Sequence, residues 1–196
     1  MKSILWKGAV LVALVVVTGA LQARAQVQPV AGTKIRDLLI EDSLTPAKMQ
    51  LRNVVADLRD SLVKVESVQS RLVRSLASNM TSVVVSQGRE LGRNCTNGAM
   101  MVARTTKYIE PMNTQNEQGD LALHAYRSGL ATLGEDLRRC AHADSLAMAA
   151  MPLDQEKLVS IATAARAAIS QYDVIRDGLM KLLGITLPIK GTIRPH

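Results

Sequence analysis

From residue 45 to residue 184 the apolar side chains return at alternating steps of three and four, in runs far longer than a strand, and this period commits the chain to helices packed along seams. The first run carries Leu51, Val55, Leu58, Leu62, Val65, Leu72, Leu76 and Val83, with polar Gln69 and Asn79 on the same stripe. Leu91, Cys95, Val102 and Ile109 continue it. A second run places Leu123, Tyr126, Leu130, Leu133, Leu137, Cys140 and Ala147 on one face. The third is the most regular, with Leu158, Ala165, Tyr172 and Leu179 in one heptad series and Ile161, Ala168, Ile175 and Leu182 in the other. Phe is absent and only three Tyr and one Trp are present, so the core is built of Leu, Val, Ile, Ala and Met. Those residues suit close-packed helices and make poor walls for a large ligand cavity.

Punctuation divides the runs. Thr45 before Pro46 is a strong start, since threonine caps free amides and proline loses nothing at the first helical position. Pro111 and Gly119 bracket a turn in which Thr114 and Glu117 have capping-box spacing. Asp154 reads as the next N-cap, with Leu153 and Leu158 spaced as a hydrophobic staple across it, and Gly184 as a C-terminal stop. The expected architecture is therefore all-α, an elongated bundle of three long helices with coiled-coil-like seams. Gly88 and Gly92 each weaken a helix by roughly 1 kcal/mol relative to Ala, so a break there would yield a fourth, short piece. A first helix unbroken over residues 46–87 would outrun its neighbours by several turns, which marks Leu51, Val55, Leu58, Leu62 and Val65 as a candidate subunit interface.

The N-terminus supplies an address. Lys2 and Lys7 precede an apolar run over residues 8–21, and Ala23-Arg24-Ala25 fits a small-x-small cleavage site, so residues 1–25 read as a cleaved signal peptide. The apolar run is shorter than the roughly 20 residues a spanning helix needs. Residues 26–44 read as an extended arm containing a short element over 35–40, residues 45–184 as the bundle, and residues 185–196, with Pro188, Lys190, Gly191, Arg194 and Pro195, as an extended basic tail. Removal of Lys2, Lys7 and Arg24 lowers the formal charge from +7 to +4. The remaining basic residues interleave with acids and lack aromatic partners, which argues against nucleic-acid binding.

Export makes the two cysteines a disulfide in the first instance. If the turn between residues 111 and 119 folds the chain back on itself, the midpoint between Cys95 and Cys140 falls inside that turn. The same register sets Val102 opposite Leu133 and Ile109 opposite Tyr126. With no Cys-x-x-Cys, the bridge reads as structural.

Catalytic and metal signatures are missing from the residue pattern. Cys95 and Cys140 both lack the Cys-x-x-Cys-His of covalent haem, and no spacing of His124, His142 and His196 supplies a zinc site. Cys140 and His142 point about 200 degrees apart on one helix, too far for thiol activation. Met100, Met101, Met112, Met148 and Met151 suit packing better than copper, and the acid pairs Asp57/Asp60 and Glu135/Asp136 alternate with arginines as solvated faces do. No cofactor, metal or catalytic residue is expected.

These readings together imply a non-catalytic accessory subunit, exported to the periplasm, that docks onto and stabilises a larger membrane-associated envelope complex such as a multi-subunit dehydrogenase. In general build the chain is similar to the small helical subunits that accompany such dehydrogenases. It also resembles, by architecture, the minor pilin subunits of type IV secretion systems, which makes a structural part of a surface apparatus the alternative. A small haem- or metal-binding bundle, through His124 or His142 with a methionine, is the second alternative.

Overall fold

A computed structural model describes residues 36–39, 44–78, 80–149 and 154–187, all within one compact unit that begins at Ile35. The expected signal peptide, Asn79, the Leu153 arm of the staple and residues 188–196 lie outside the described residues. The described chain runs β1 (Arg36–Asp37), α1 (Pro46–Ala77), α2 (Thr81–Ile109), β2 (Met112–Asn113), α3 (Glu117–Ala149) and α4 (Gln155–Leu182). It is all-α in class, a bundle of four helices in which α1 packs on α2, α2 on α3, α3 on α4, and α4 closes back on α1.

The first helix breaks, but not where the glycines suggested. Gly88 and Gly92 lie buried inside α2, and the interruption falls between Ala77 and Thr81 instead. Within it Ser78 Oγ bonds the carbonyl of Arg74 at 3.1 Å, and the Ser78 N–H bonds that of Ser75 at 3.2 Å. The result is two helices of 32 and 29 residues rather than one long helix and a short fragment. Consequently Leu51, Val55, Leu58, Leu62 and Val65, expected at a subunit interface, are at most 2% exposed and belong to the bundle's own core. An equal-length hairpin satisfies the whole α1 seam internally, so no excess stripe is left over on that helix.

Helix ends follow local chemistry closely. Thr45 caps α1 through its hydroxyl, which accepts from Lys48 N at 3.3 Å, and Pro46 takes the first helical position. Asp154 caps α4, its carboxylate accepting from Lys157 N at 2.9 Å. Gly184, with φ 65°, ends α4: its N–H bonds Lys181 O at 3.2 Å and that of Ile185 bonds Met180 O at 2.8 Å, with Ile185 and Met180 both buried. This is the Schellman arrangement, and only a residue without Cβ adopts that backbone freely. Buried Ile185 and half-buried Leu187 rest on the core, so the start of the expected tail belongs to the bundle. The α3 cap departs from the expected pair. Asn116, not Thr114, accepts from Gln118 N and Gly119 N at 3.0 and 3.3 Å, while Thr114 donates its N–H and hydroxyl to Asp120 at 2.7 and 2.8 Å.

The extended arm carries the short element expected over residues 35–40, and there it is anchored to the bundle. Arg36 and Asp37 pair in parallel with Met112 and Asn113, the Leu38 N–H extends the ladder to Asn113 O at 2.8 Å, and Leu38 is fully buried. Arg127 secures the same end by donating Nη2 to the carbonyls of Ile109, Glu110 and Met112 beyond the α2 terminus.

Two glycines govern the α2–α3 contact. A Cβ on Gly98 would stand 3.1 Å from Leu137 Cδ1, and one on Gly134 would stand 3.0 Å from Val102 Cγ1. Gly178 in α4 faces no atom within 4 Å. Gly178→Ala is therefore expected to raise stability by about 0.5–1 kcal/mol through helix propensity, and Gly134→Ala to lower it by about 1–3 kcal/mol by overpacking. Urea denaturation of the two variants checks both signs.

Candidate functional site

The third run is where sequence and structure part by one residue. Leu158, Ala165, Tyr172 and Leu179 are buried as expected, but the second core series is Ala162, Ile169, Arg176 and Leu183. Ile161, Ala168, Ile175 and Leu182 are only half-buried. A step of four rather than three moves the second series by about 100 degrees around the helix at 3.6 residues per turn, and so turns the buried face as a whole by about half of that. The apolar series that reads as core in the sequence thus lies along the outer edge of the α3–α4 contact.

Ala168 and Ile175 line a groove there with Ala125, Ser128, Gly129, Thr132, Leu133, Gln171 and Tyr172, enclosing about 270 Å³. None of these residues is charged, in a chain of which 21% is charged. Gly129 sets its depth, since a Cβ at that position would come within 2.9 Å of Ile175 Cδ1. Leu121, one helical turn before Ala125, is 66% exposed, and Val174, beside Ile175, is 74% exposed. They are the most exposed large apolar side chains among the described residues.

Beneath this groove sits a polar centre. The Tyr126 and Tyr172 hydroxyls are 2.8 Å apart with their rings tilted by 39° and centroids at 5.8 Å, and both residues are buried. The Arg176 guanidinium lies 5.8 Å from the Tyr172 ring centre and is held by Asp173 and Asp177. An arginine survives at this core position because every face of its head group is occupied: ring on one side, carboxylates on the other. Burial pushes both phenols well above the ordinary tyrosine value, more than the neighbouring Arg176 pulls them down. Such hydroxyls order the core as a neutral hydrogen-bonded pair.

The linkage has a definite sign. A phenol held protonated in the fold contributes stability that is complete below the ordinary value of 10.0 and is lost as pH rises through the higher folded value. Above about pH 10 the unfolded chain gains by ionising. Tyrosinate absorbance from Tyr126 and Tyr172 is expected to appear together with loss of helical circular dichroism. Ionisation of these two phenols with the helices intact would contradict this.

The other residues singled out in the sequence disperse. Cys95 and Cys140 form the expected disulfide, with Cα atoms 6.0 Å apart, joining α2 to α3. His124 and His142 are exposed on α3, Met100 is exposed on α2, and Met112 is buried within β2. Glu135 and Asp136 pair with Arg139 on the α3 surface. Among the described residues no three His, Cys, Asp or Glu side chains converge as metal ligands, and no helix is long and apolar enough to cross a membrane. Ala168 and Ile175 of the groove were visible in the sequence as members of an apolar series, although the series' outward orientation was not. In comparisons with protein-family models, curated proteins and solved structures, nothing matches the chain.

Proposed function

We propose that the protein is a non-catalytic accessory subunit of the cell envelope, exported by its N-terminal segment, which docks through the α3–α4 face onto a larger complex such as a membrane-associated dehydrogenase. The observation that supports this reading is the apolar stripe of α4 that the bundle leaves half-covered, flanked by Leu121 and Val174 and free of charge along the groove. Burying a large aliphatic side chain is worth about 1.5–3 kcal/mol, so a partner covering this lane gains several such contributions without desolvating an ion. Small groove residues also admit the ridge of a partner helix.

The test begins with the native assembly, purified from its envelope in gentle detergent, weighed by light scattering and identified by mass spectrometry. A heteromeric assembly is expected, and Ala125→Arg or Ser128→Arg is expected to release the partner while leaving the thermal transition of the free protein unchanged, because both side chains are exposed in the isolated chain. A lone monomer, or a partner retained by both variants, overturns the reading.

A further inference from the structure

The chain as a whole interleaves its acids and bases, but α2 sorts them. Its four cations, Arg89, Arg93, Arg104 and Lys107, are set against a single acid, Glu90, whereas α3 carries five acids and three arginines. At 3.6 residues per turn the four cations fall within an arc of about 60 degrees, spread over about 27 Å of helix. The buried residues of α2, among them Leu91, Cys95 and Val102, centre on the opposite side, so the row points away from the bundle. Glu90 lies about 100 degrees round from Arg89, where Arg71 of α1 takes it up at 2.6 Å. All four cations are exposed, and among the described residues none of them enters an ion pair. Arg89 and Arg93 stand one turn apart, a spacing at which like charges weaken a helix, so the stability of α2 does not account for the row.

We propose that the outer face of α2 is a docking surface for an anionic phospholipid bilayer, on which Arg89, Arg93, Arg104 and Lys107 meet the headgroup phosphates. Charge complementarity selects the occupant. The outer side of a single helix is convex and grips nothing by shape, so a straight acid-free row of cations is matched by a flat array of negative charge. Met100 lies inside the same arc, between Arg93 and Arg104, and is 60% exposed. At the depth of lipid headgroups an apolar side chain among cations gains by leaving water, which is the pattern of helices that lie along a membrane surface. Nucleic acid would ask for rings on which bases stack. The single ring of α2, Tyr108, is half-buried and bonded to Gln50 at 2.8 Å. The basic row lies on α2 and the apolar groove on α3 and α4, so the lipid surface is a second face, separate from the one that docks a protein partner.

The test is co-sedimentation of the protein, purified from its envelope and freed of detergent, with phosphatidylcholine vesicles in which about a third of the lipid is phosphatidylglycerol. The readout is the excess over pure phosphatidylcholine vesicles, which subtracts what the apolar run at residues 8–21 contributes to both. An excess is expected at about 0.1 M salt and is expected to vanish at about 1 M, where charges are screened beyond about 3 Å. Arg93→Gln/Arg104→Gln is expected to lower the partition coefficient about tenfold or more, since each basic residue near an anionic surface contributes a factor of about five. The thermal transition is expected to stay unchanged, both side chains being exposed. Arg138→Gln/Arg139→Gln removes the same charge from the exposed side of α3 and is expected to change the coefficient by less than about threefold, because the effect of a charge fades beyond a Debye length. The measurement needs no partner protein, so it stands or falls apart from the α3–α4 reading. Absence of the excess, equal losses in the two double variants, or retention on duplex DNA as strong as on the anionic vesicles overturns the proposal.

Discussion

Replacing Cys95 and Cys140 together by alanine is expected to lower the free energy of unfolding by about 4 kcal/mol, the chain-entropy value for a loop closed across a separation of 45 residues. That is a large fraction of the roughly 5–15 kcal/mol that holds an ordinary domain folded. The bridge spans the α2–α3 hairpin and fixes the register in which Gly98 meets Leu137 and Gly134 meets Val102. Most of the loss therefore arises in the denatured chain, which regains the freedom of a long loop, and the native packing around two small buried side chains changes little. Urea denaturation is expected to show a lower midpoint for the variant. Because Cys95 and Cys140 are at most 2% exposed, a thiol reductant is expected to leave the native protein intact until denaturant opens it. A variant within about 1 kcal/mol of the parent would show that α2–α3 packing carries the hairpin without the bridge.

Tyr126→Ala is expected to cost about 3–5 kcal/mol, comparable with the disulfide. The ring fills the space between α3 and α4, and its hydroxyl is the partner of Tyr172 at 2.8 Å. Truncation leaves a cavity and an orphaned phenol together. The two contributions separate with Tyr126→Phe, which keeps the ring and strands only the Tyr172 hydroxyl, at a cost of about 1–3 kcal/mol. Removing both hydroxyls in Tyr126→Phe/Tyr172→Phe is expected to cost less than the two single changes added, because neither buried oxygen is then left without its partner. Chemical denaturation of the four proteins forms the cycle, and strict additivity would mean that the two hydroxyls do not depend on each other. The pair also forms part of the groove floor through Tyr172, so the same variants bear on the shape of that face as well as on stability.

Local chemistry was legible at the ends of α1 and α4, whereas at the start of α3 two capping candidates lie two residues apart and Asp120 takes up Thr114, which leaves the cap to Asn116. Thr45 with Pro46, Asp154 and Gly184 mark helix ends through groups within a few residues of themselves, and all three act as their types dictate. The α2–α3 register was legible too, since two cysteines symmetric about a turn leave one alignment of their seams. The break between Ala77 and Thr81 was not. Val83, Val84 and Val85 follow it in succession, so a seam arriving from Leu76 finds an apolar residue at whatever phase it continues. The structure buries Val84 and leaves Val83 38% exposed, a phase slip that three valines conceal. Glycine weakens an isolated helix, yet Gly88 and Gly92 lie buried within α2, where the packing of the bundle outweighs propensity.

The candidate docking face was hidden for a related reason. On α4 the sequence offers Ile161, Ala168, Ile175 and Leu182 against Ala162, Ile169, Arg176 and Leu183, and hydrophobicity alone favours the first set. Arg176 turns inward because Tyr172, Asp173 and Asp177 surround its guanidinium, a compensation that no linear pattern displays. The sequence by itself determined the helical class, the ends of α1 and α4 at Thr45, Asp154 and Gly184, the disulfide and the α2–α3 register, because period, capping and loop closure act along the chain. Tertiary structure alone decided where the first helix folds back and which α4 face remains outside, because burial is a property of four helices meeting and not of any one of them.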